Sequence, residues 1–294
     1  MPASALLPDA APLTTGPTVS TLPSSESLDW IDTGQGPVVV LLHSSMASKA
    51  QWKALCERLM PRWRLLAIDL YGYGDAPAAP VHPSFGLADE AQRVLRILEE
   101  RLPTGTPWHL IGHSYGGGVA LRVAHARPAS VRSLALYEPT AFHLVPAAQA
   151  ADLAEVRAVA HLAATHAPDE RVQATGRFLD FWNGPGYFEQ LPPARREQFA
   201  RLLPKVGLDF QGLFGDVLTP SDHADPGWPA TLIGGRHSPR CAHRVIEALA
   251  AAWPEAQVRW IEAGHMGPLT HPEQVNALIE AHLDKALSCR VGTT

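Results

Sequence analysis

The chain has 294 residues, 46% of them hydrophobic, and a formal net charge of −5 at pH 7. This length and apolar content suffice for one large α/β domain with an insertion, or for two small domains. The absence of a basic run or stripe argues against nucleic acid as a partner, and no stretch approaches the roughly 18 apolar residues of a membrane span.

The N-terminal segment and the cysteines bear on location and cofactors. Residues 1–25 are rich in Pro, Ala, Ser and Thr and contain no Lys or Arg. They lack the features of a secretory signal, so we expect a disordered or loosely attached lead-in. Cys56, Cys241 and Cys289 lack metal-site spacing, and their odd number favours a reducing compartment. We therefore expect a cytoplasmic protein without a metal or other cofactor.

Apolar runs alternate with helical patterns along much of the chain, which predicts a parallel sheet with crossover helices. The predicted strands lie at residues 38–42, 64–68, 108–111, 131–136, 230–233 and 258–261. The predicted helices lie at residues 49–59, 88–102, 115–126, 241–252 and 272–287.

The alternation stops within an Ala-rich, helical segment at about residues 142–225, which we interpret as an inserted cap. The α/β core is then expected at 26–141 and 226–294. Aromatic residues of the cap either form its own core or line a substrate pocket. Trp182 and Tyr187 flank a turn rich in Gly and Pro and are the candidates for contact with substrate.

Ser114 is the candidate nucleophile, within Gly-His-Ser-Tyr-Gly at residues 112–116. A predicted strand precedes this motif and a predicted helix follows it. A serine on such a tight corner exposes its hydroxyl, and the glycines two residues before and after it leave room for the corner. The helix N-terminus offers N–H groups to a developing oxyanion. The structural alternative is an ordinary N-cap serine, but the strand–turn–helix context favours the nucleophile.

His265 is the candidate base, because it follows the last predicted strand and so lies at the sheet edge that carries Ser114. A neutral imidazole can take the hydroxyl proton and return it to the leaving group. The chain has 14 histidines, so position rather than residue type favours His265 over a solvent-facing loop histidine. His271, at the start of the last predicted helix, is the weaker candidate.

Together these motifs resemble the serine hydrolases of the α/β-hydrolase fold that carry a helical cap. The resemblance covers about residues 28–283 and rests on the segments 38–45, 69–74, 112–117 and 264–266. It implies an α/β fold with an eight-stranded, mostly parallel sheet flanked by helices. It also implies a catalytic triad in the chain order Ser, acid, His.

The resemblance implies an oxyanion hole made by the backbone N–H groups of Ser45 and Tyr115. The family usually has His-Gly after the first buried strand, whereas this chain has His43 and Ser44. The Ser44 hydroxyl either adds a donor that tunes the oxyanion hole or only caps the turn. Ser44 is therefore a further candidate for contact with substrate.

The triad acid is the second departure from the family pattern. The acid usually follows the strand after the cap, where this chain has His237, which cannot balance an imidazolium as a carboxylate does. Glu138, at the end of the strand before the cap, occupies a place from which some members supply the acid. Its structural alternative is a carboxylate that binds loop N–H groups. The reserve acids are Asp209, Asp216, Asp222 and Asp225.

The sequence thus predicts a hydrolase of small-molecule carboxylic esters or lactones that acts through an acyl-enzyme. Ser114 is the nucleophile, His265 the base and Glu138 the orienting acid. One alternative is a hydrolase of carbon–carbon bonds in ring-cleavage diketones, which would use the same residues. The other is a non-catalytic ligand-binding protein, suggested by the missing acid at His237. The oligomeric state cannot be read from the sequence.

Overall fold

A computed structural model describes residues 28–223 and 227–288. The strands are β1 (Trp30–Thr33), β2 (Val38–Leu42), β3 (Arg64–Ile68), β4 (Trp108–His113), β5 (Val131–Tyr137), β6 (Ala230–Gly235) and β7 (Gln257–Ile261). They form one seven-stranded sheet in the order β1-β3-β2-β4-β5-β6-β7. Neighbouring strands run parallel, except that β1 pairs with β3 in the antiparallel direction.

Five helices outside the cap flank the sheet on both faces. They are α1 (Lys53–Leu59), α2 (Leu87–Arg101), α3 (Tyr115–Ala126), α8 (Arg240–Ala252) and α10 (Pro272–Ser288). Along β2, Val38, Val40 and Leu42 pack in the core with α2, α3 and α8, whereas Val39 and Leu41 pack with α1 and α10. This alternation follows from the period of two in a strand, and burial on both faces explains the continuous apolar run.

The predicted α/β-hydrolase fold is confirmed, and each of the six predicted strands is present. The sheet of the described residues has seven strands rather than the expected eight. The strand missed from the sequence is β1, an antiparallel edge strand of four partly buried residues. The first predicted helix is divided into a 3-10 turn, Lys49–Trp52, and α1.

The chain leaves the sheet between β5 and β6 and forms the helices of the insertion. These are α4 (Ala154–Thr165), α5 (Arg171–Asn183), α6 (Tyr187–Gln190) and α7 (Pro193–Gly215). Helix α7 packs against both α4 and α5. The short helix α9 (Gly267–Thr270) precedes α10. The lead-in expected at 1–25 and Cys289 lie outside the described residues.

Two further observations concern expectations from composition. In the described part of the chain, no helix is both long enough and apolar enough to cross a membrane. Cys56 and Cys241 are buried and unbonded. Burial raises the pKa of these two thiols to about 11 and about 12.

A buried hydrogen-bond chain ties α10 to the sheet. The two ring nitrogens of His282 lie 2.8 Å from the hydroxyls of Ser133 and Thr231. The Ser133 hydroxyl is also 2.7 Å from Nδ1 of His109. Burial lowers the pKa of His282 to about 3 and that of His43, beside the sheet edge, to about 4. Both rings therefore stay neutral in the folded protein at pH 7.

These two histidines make the fold sensitive to acid. In the unfolded chain a histidine has a pKa near 6.5, so between that pH and about 4 the unfolded state binds more protons. The free energy of unfolding should therefore fall with pH, by up to about 1.4 kcal/mol per pH unit for each histidine. Urea unfolding between pH 7 and 4.5 measures this slope. His282→Gln removes one titrating ring and should give a shallower slope; equal slopes would contradict the assignment.

Candidate active site

Ser114 stands at the corner between β4 and α3, in a backbone conformation with φ 53° and ψ −119°. Non-glycine residues seldom adopt positive φ. The two flanking positions must be glycine because a side chain at either one would clash with the backbone. A Cβ on Gly112 would lie 2.6 Å from the carbonyl oxygen of Gly116, and one on Gly116 would lie 2.4 Å from those of Leu42 and His43. The close packing of this corner holds the serine above the sheet edge.

Three of the predicted residues meet at this edge. Oγ of Ser114 lies 2.9 Å from Nε2 of His265, and Nδ1 of His265 lies 2.7 Å from Oε2 of Glu138. All three are buried, with exposed fractions of 7%, 2% and 0% for Ser114, His265 and Glu138. Because a carboxylate only accepts, Nδ1 carries the ring proton and Nε2 is free to accept from the serine hydroxyl. The order hydroxyl, imidazole, carboxylate is the one that proton transfer from serine needs.

Among the described residues, neither the other candidate acids nor the weaker base forms a hydrogen bond with the ring of His265. His237 is 67% exposed and lies 3.2 Å from Glu262, also at the surface. The remaining candidates have partners of their own, which are Arg122 for Asp216, Thr219 for Asp222, Lys205 for Asp209 and Thr270 for His271. Asp225 lies outside the described residues. Glu138 is thus the carboxylate that the described structure places at the imidazole.

Two side chains from the sheet hold the loop that carries His265. Nε2 of His113 donates to the carbonyl oxygen of His265 at 2.9 Å. The Tyr137 hydroxyl donates to the carbonyl oxygen of Gly264 at 2.7 Å. Burial lowers the pKa of His113 well below its usual value, so this ring stays neutral. The sequence pattern alone indicates a role for neither residue, although His113 lies within the serine motif.

Backbone strain is concentrated at this site. Among the described residues, the non-glycine residues with positive φ are Met46 (59°), Ser114 (53°) and Glu138 (42°). Each such residue costs on the order of 1–3 kcal/mol and persists only where its surroundings fix it. Here the N–H of Glu138 donates to the carbonyl oxygen of Ile233 at 2.9 Å. Clustering of strain is typical of functional sites.

The amides predicted for the oxyanion hole are free to bind. In the described structure the backbone N–H groups of Ser45 and Tyr115 donate to no other group. Ser44 differs, because its N–H and its hydroxyl both donate to Oε1 of Gln51, at 3.1 and 2.9 Å. The Ser44 hydroxyl is thus used to fix the turn. Gln51 is a residue of this loop that sequence reasoning missed.

Two buried side chains shape the loop between β2 and α1. Nε2 of His43 accepts from the N–H of Leu70 at 3.0 Å, so its Nδ1 carries the proton and donates to the Ser44 carbonyl at 2.8 Å. Asp69 accepts from the backbone N–H of Lys49 at 2.6 Å and from its ammonium at 2.7 Å. These contacts fix the path of the loop that carries the proposed oxyanion donor.

A cavity of about 350 Å³ borders Ser114 and His265. Much of its wall consists of apolar side chains of α5 and α7, which are Phe178, Leu179, Trp182, Val206, Phe210 and Leu213. Ser44 and Tyr187 also line it, so the three residues predicted to contact substrate all border the cavity. The Trp182 ring covers the imidazole, with the ring centroids 3.9 Å apart and the planes 31° apart.

Solved structures share this fold. A hydrolase from Pseudomonas aeruginosa PA01 superposes with a TM-score of 0.68 at 23% identity, over 86% of this chain and 93% of that one. A thermophilic esterase from Thermogutta terrifontis superposes with a TM-score of 0.65 at 23% identity, over 87% and 93% of the two chains. At these identities the likeness concerns the fold alone.

The amino-acid sequence is also similar to that of a named relative and matches a protein family. Pimeloyl-(acyl-carrier protein) methyl ester esterase of Vibrio vulnificus strain YJ016 is 40% identical over 100 residues, which are 34% of this chain and 36% of that protein. The match therefore spans little more than a third of the relative. Residues 37–272 match the family model of the alpha/beta hydrolase fold. The chain belongs to the alpha/beta hydrolase fold family.

Proposed function

We propose that this protein is a serine hydrolase that cleaves a carboxylic ester, open or cyclic, of a small molecule. The observation that carries the proposal is the continuous hydrogen-bond chain from Ser114 through His265 to Glu138, at 2.9 and 2.7 Å. Its serine end borders a largely apolar cavity beside two free backbone amides. Nucleophile, base, orienting acid and oxyanion donors are the parts that acyl transfer needs.

In the first half of the reaction the ester acylates Ser114. Its Oγ attacks the carbonyl carbon while Nε2 of His265 takes the hydroxyl proton. Negative charge develops on the carbonyl oxygen, which accepts from the N–H groups of Ser45 and Tyr115. The Glu138 carboxylate holds the ring and balances the imidazolium.

Departure of the alcohol completes the acyl-enzyme, and in the second half of the reaction water releases the acid. The tetrahedral intermediate collapses, the bond to the alcohol oxygen breaks, and His265 returns its proton to that oxygen. His265 then takes a proton from water as the water oxygen attacks the acyl carbon. The bond between that carbon and Oγ of Ser114 breaks, the acid leaves, and His265 returns the proton to Oγ. The Trp182 ring lies over the imidazole and forms part of the cavity wall beside it.

The Vibrio vulnificus relative is a methyl ester esterase, which supports an ester as the substrate class. No observation at the site favours the carbon–carbon bond hydrolase or the ligand-binding protein. The cavity is near the small end of the roughly 300–1,000 Å³ range of ligand pockets. A short apolar acyl or alcohol group suits that volume.

The cavity leads to a prediction about chain length. Across p-nitrophenyl esters, kcat/KM should be higher for acetate and butyrate than for palmitate, because a long acyl chain exceeds a cavity of about 350 Å³. Release of p-nitrophenolate measures the rates. A preference for palmitate would contradict the proposed size of the substrate. Hydrolysis of ring-cleavage diketones with no ester turnover would favour the carbon–carbon bond hydrolase.

The role of Ser114 is tested by removing its hydroxyl. Ser114→Ala should lower kcat for ester hydrolysis by roughly 10³-fold or more, because the three residues act as a unit. A fluorophosphonate probe should label the wild-type protein at Ser114 and leave the variant unlabelled, as measured by peptide mass spectrometry. A binding-only protein lacks an activated hydroxyl and would not be labelled.

The acid is tested by a pair of variants. Glu138→Gln keeps the shape of the side chain but removes the charge that fixes the ring tautomer, so kcat should fall by roughly 10³- to 10⁴-fold. His237→Ala should stay within about twofold of wild type, because an exposed ring makes little contribution. Steady-state kinetics of both variants decides between the positions. A larger loss of kcat in His237→Ala than in Glu138→Gln would show that Glu138 is not the acid.

A further inference from the structure

A buried polar cluster lies between the cap helix α7 and the proposed oxyanion hole. Its members, here named the α7 cluster, are Ser45, Tyr73, Glu90, Tyr115, Lys205 and Asp209. The three charged members are almost removed from solvent, with exposed fractions of 8% for Lys205, 1% for Asp209 and 0% for Glu90. Charged side chains are rarely buried to this extent unless they are paired.

Asp209 joins α7 to the loop of the oxyanion hole. Its Oδ2 accepts from the hydroxyls of Ser45 and Tyr73, each at 2.5 Å. Its Oδ1 accepts from the ammonium of Lys205. Burial, followed by the nearby charge of Asp209, raises the pKa of Tyr73 well above its usual value, so the phenol remains a donor. The loop that contains Ser45 is thus hydrogen-bonded to helix α7 of the cap.

Lys205 extends the cluster to the second amide. Its Nζ donates to Oε1 of Glu90 at 3.1 Å, and the same oxygen accepts from the Tyr115 hydroxyl at 3.1 Å. Burial alone lowers the pKa of Lys205, but the charges of Asp209 and Glu90 outweigh burial and raise it. Lys205 therefore stays a cation, and the cluster runs unbroken from Ser45 to Tyr115.

Fold stability is a weak explanation for such a cluster. Removing each ion from water costs on the order of several kcal/mol, and apolar side chains in place of a buried ion pair are often neutral or stabilising. The cluster also sets two carboxylates, Glu90 and Asp209, against the single ammonium of Lys205. Asp209 lines the same cavity as Ser114. Because Asp209 lies in the wall of this cavity and bonds Ser45, a role in the reaction is the better explanation.

We propose that Asp209 is a positioning residue for ester hydrolysis. It binds the side-chain hydroxyl of Ser45 directly, and through Lys205 and Glu90 it is linked to the hydroxyl of Tyr115. The position of the loop that carries the proposed oxyanion donor then depends on its contact with α7. This inference rests on the hydrolysis proposed above.

The variant Asp209→Asn tests the inference, since it keeps the shape of the side chain and removes its charge and one acceptor. A misplaced oxyanion hole weakens binding of the transition state more than that of the substrate. We expect kcat to fall about 10- to 100-fold and KM to change less than about threefold, a smaller loss than deletion of a whole oxyanion donor. A boronic acid, which forms a tetrahedral anion on Ser114, should bind more weakly by a similar factor.

Asp216→Asn is the matched control. Asp216 follows the end of α7, is similarly buried, and pairs at 3.2 Å with Arg122 on α3, so it also ties the cap to the core. It has no contact with the α7 cluster and should retain kcat and affinity for the boronic acid. Ser45→Ala keeps the backbone N–H but removes the hydroxyl. If Asp209 acts through that hydroxyl, the double variant with Ser45→Ala and Asp209→Asn should have a kcat only slightly below that of Asp209→Asn alone.

A merely structural role gives a different pattern. Asp209→Asn would then melt at a lower temperature but keep kcat per folded molecule and inhibitor affinity, which would overturn the proposal. If Asp209→Asn does not fold, Ser45→Ala and Tyr73→Phe each remove one donor, and full activity in both also overturns it. Failure of the hydrolase function is distinct, because the wild-type protein would then show neither ester turnover nor labelling at Ser114.

Discussion

The carboxylate of Glu138 is buried at the end of β5. The arrangement of the other residues of the site depends on this burial. A buried carboxylate is tolerated only where donors replace its hydration. The N–H of Gly235 donates to one oxygen and Nδ1 of His265 to the other. A Cβ at position 235 would lie 2.3 Å from the carbonyl oxygen of Ala263, so glycine is required there. The ends of β5 and β6 and the loop after β7 must therefore meet, and their meeting fixes the imidazole.

The sequence predicts well those parts of the site that are local in the chain. Helix α3 has the bounds expected from the pattern, because the glycine-flanked serine and the apolar spacing act within a few residues. The family resemblance suggests Glu138 as the acid. Parallel strands end at one edge of the sheet, which explains why Glu138 lies close to the loop of His265. Strand β1 is missed because a short, partly buried edge strand leaves no buried run to detect. Beyond these strands, register and loop contacts decide the geometry.

The contacts that lie outside sequence reasoning join residues far apart in the chain. Ser45 and Asp209 are separated by 164 positions, and no local pattern links them. Lys205 and Asp209 are an i,i+4 pair, which on sequence alone indicates a solvated helix face. Their burial follows from the placement of α7 against Glu90 and the tyrosines, a tertiary fact. Gln51 is likewise recognised only once the turn around Ser44 is known.

The three residues with positive φ are held in place by different parts of the molecule. The N–H of Ser114 donates to the carbonyl of Tyr137, and that of Glu138 to the carbonyl of Ile233, so the sheet fixes these two positive-φ residues. The loop that contains Met46 is bonded to the cap, through the hydroxyl of the neighbouring Ser45. Strain persists only where the surroundings determine the backbone. The proposed nucleophile and acid thus depend on the geometry of the parallel strands, whereas the proposed oxyanion loop depends on the inserted helices, which also shape the cavity. A change in the cap can therefore alter substrate fit and oxyanion geometry together while the serine, histidine and glutamate stay in place.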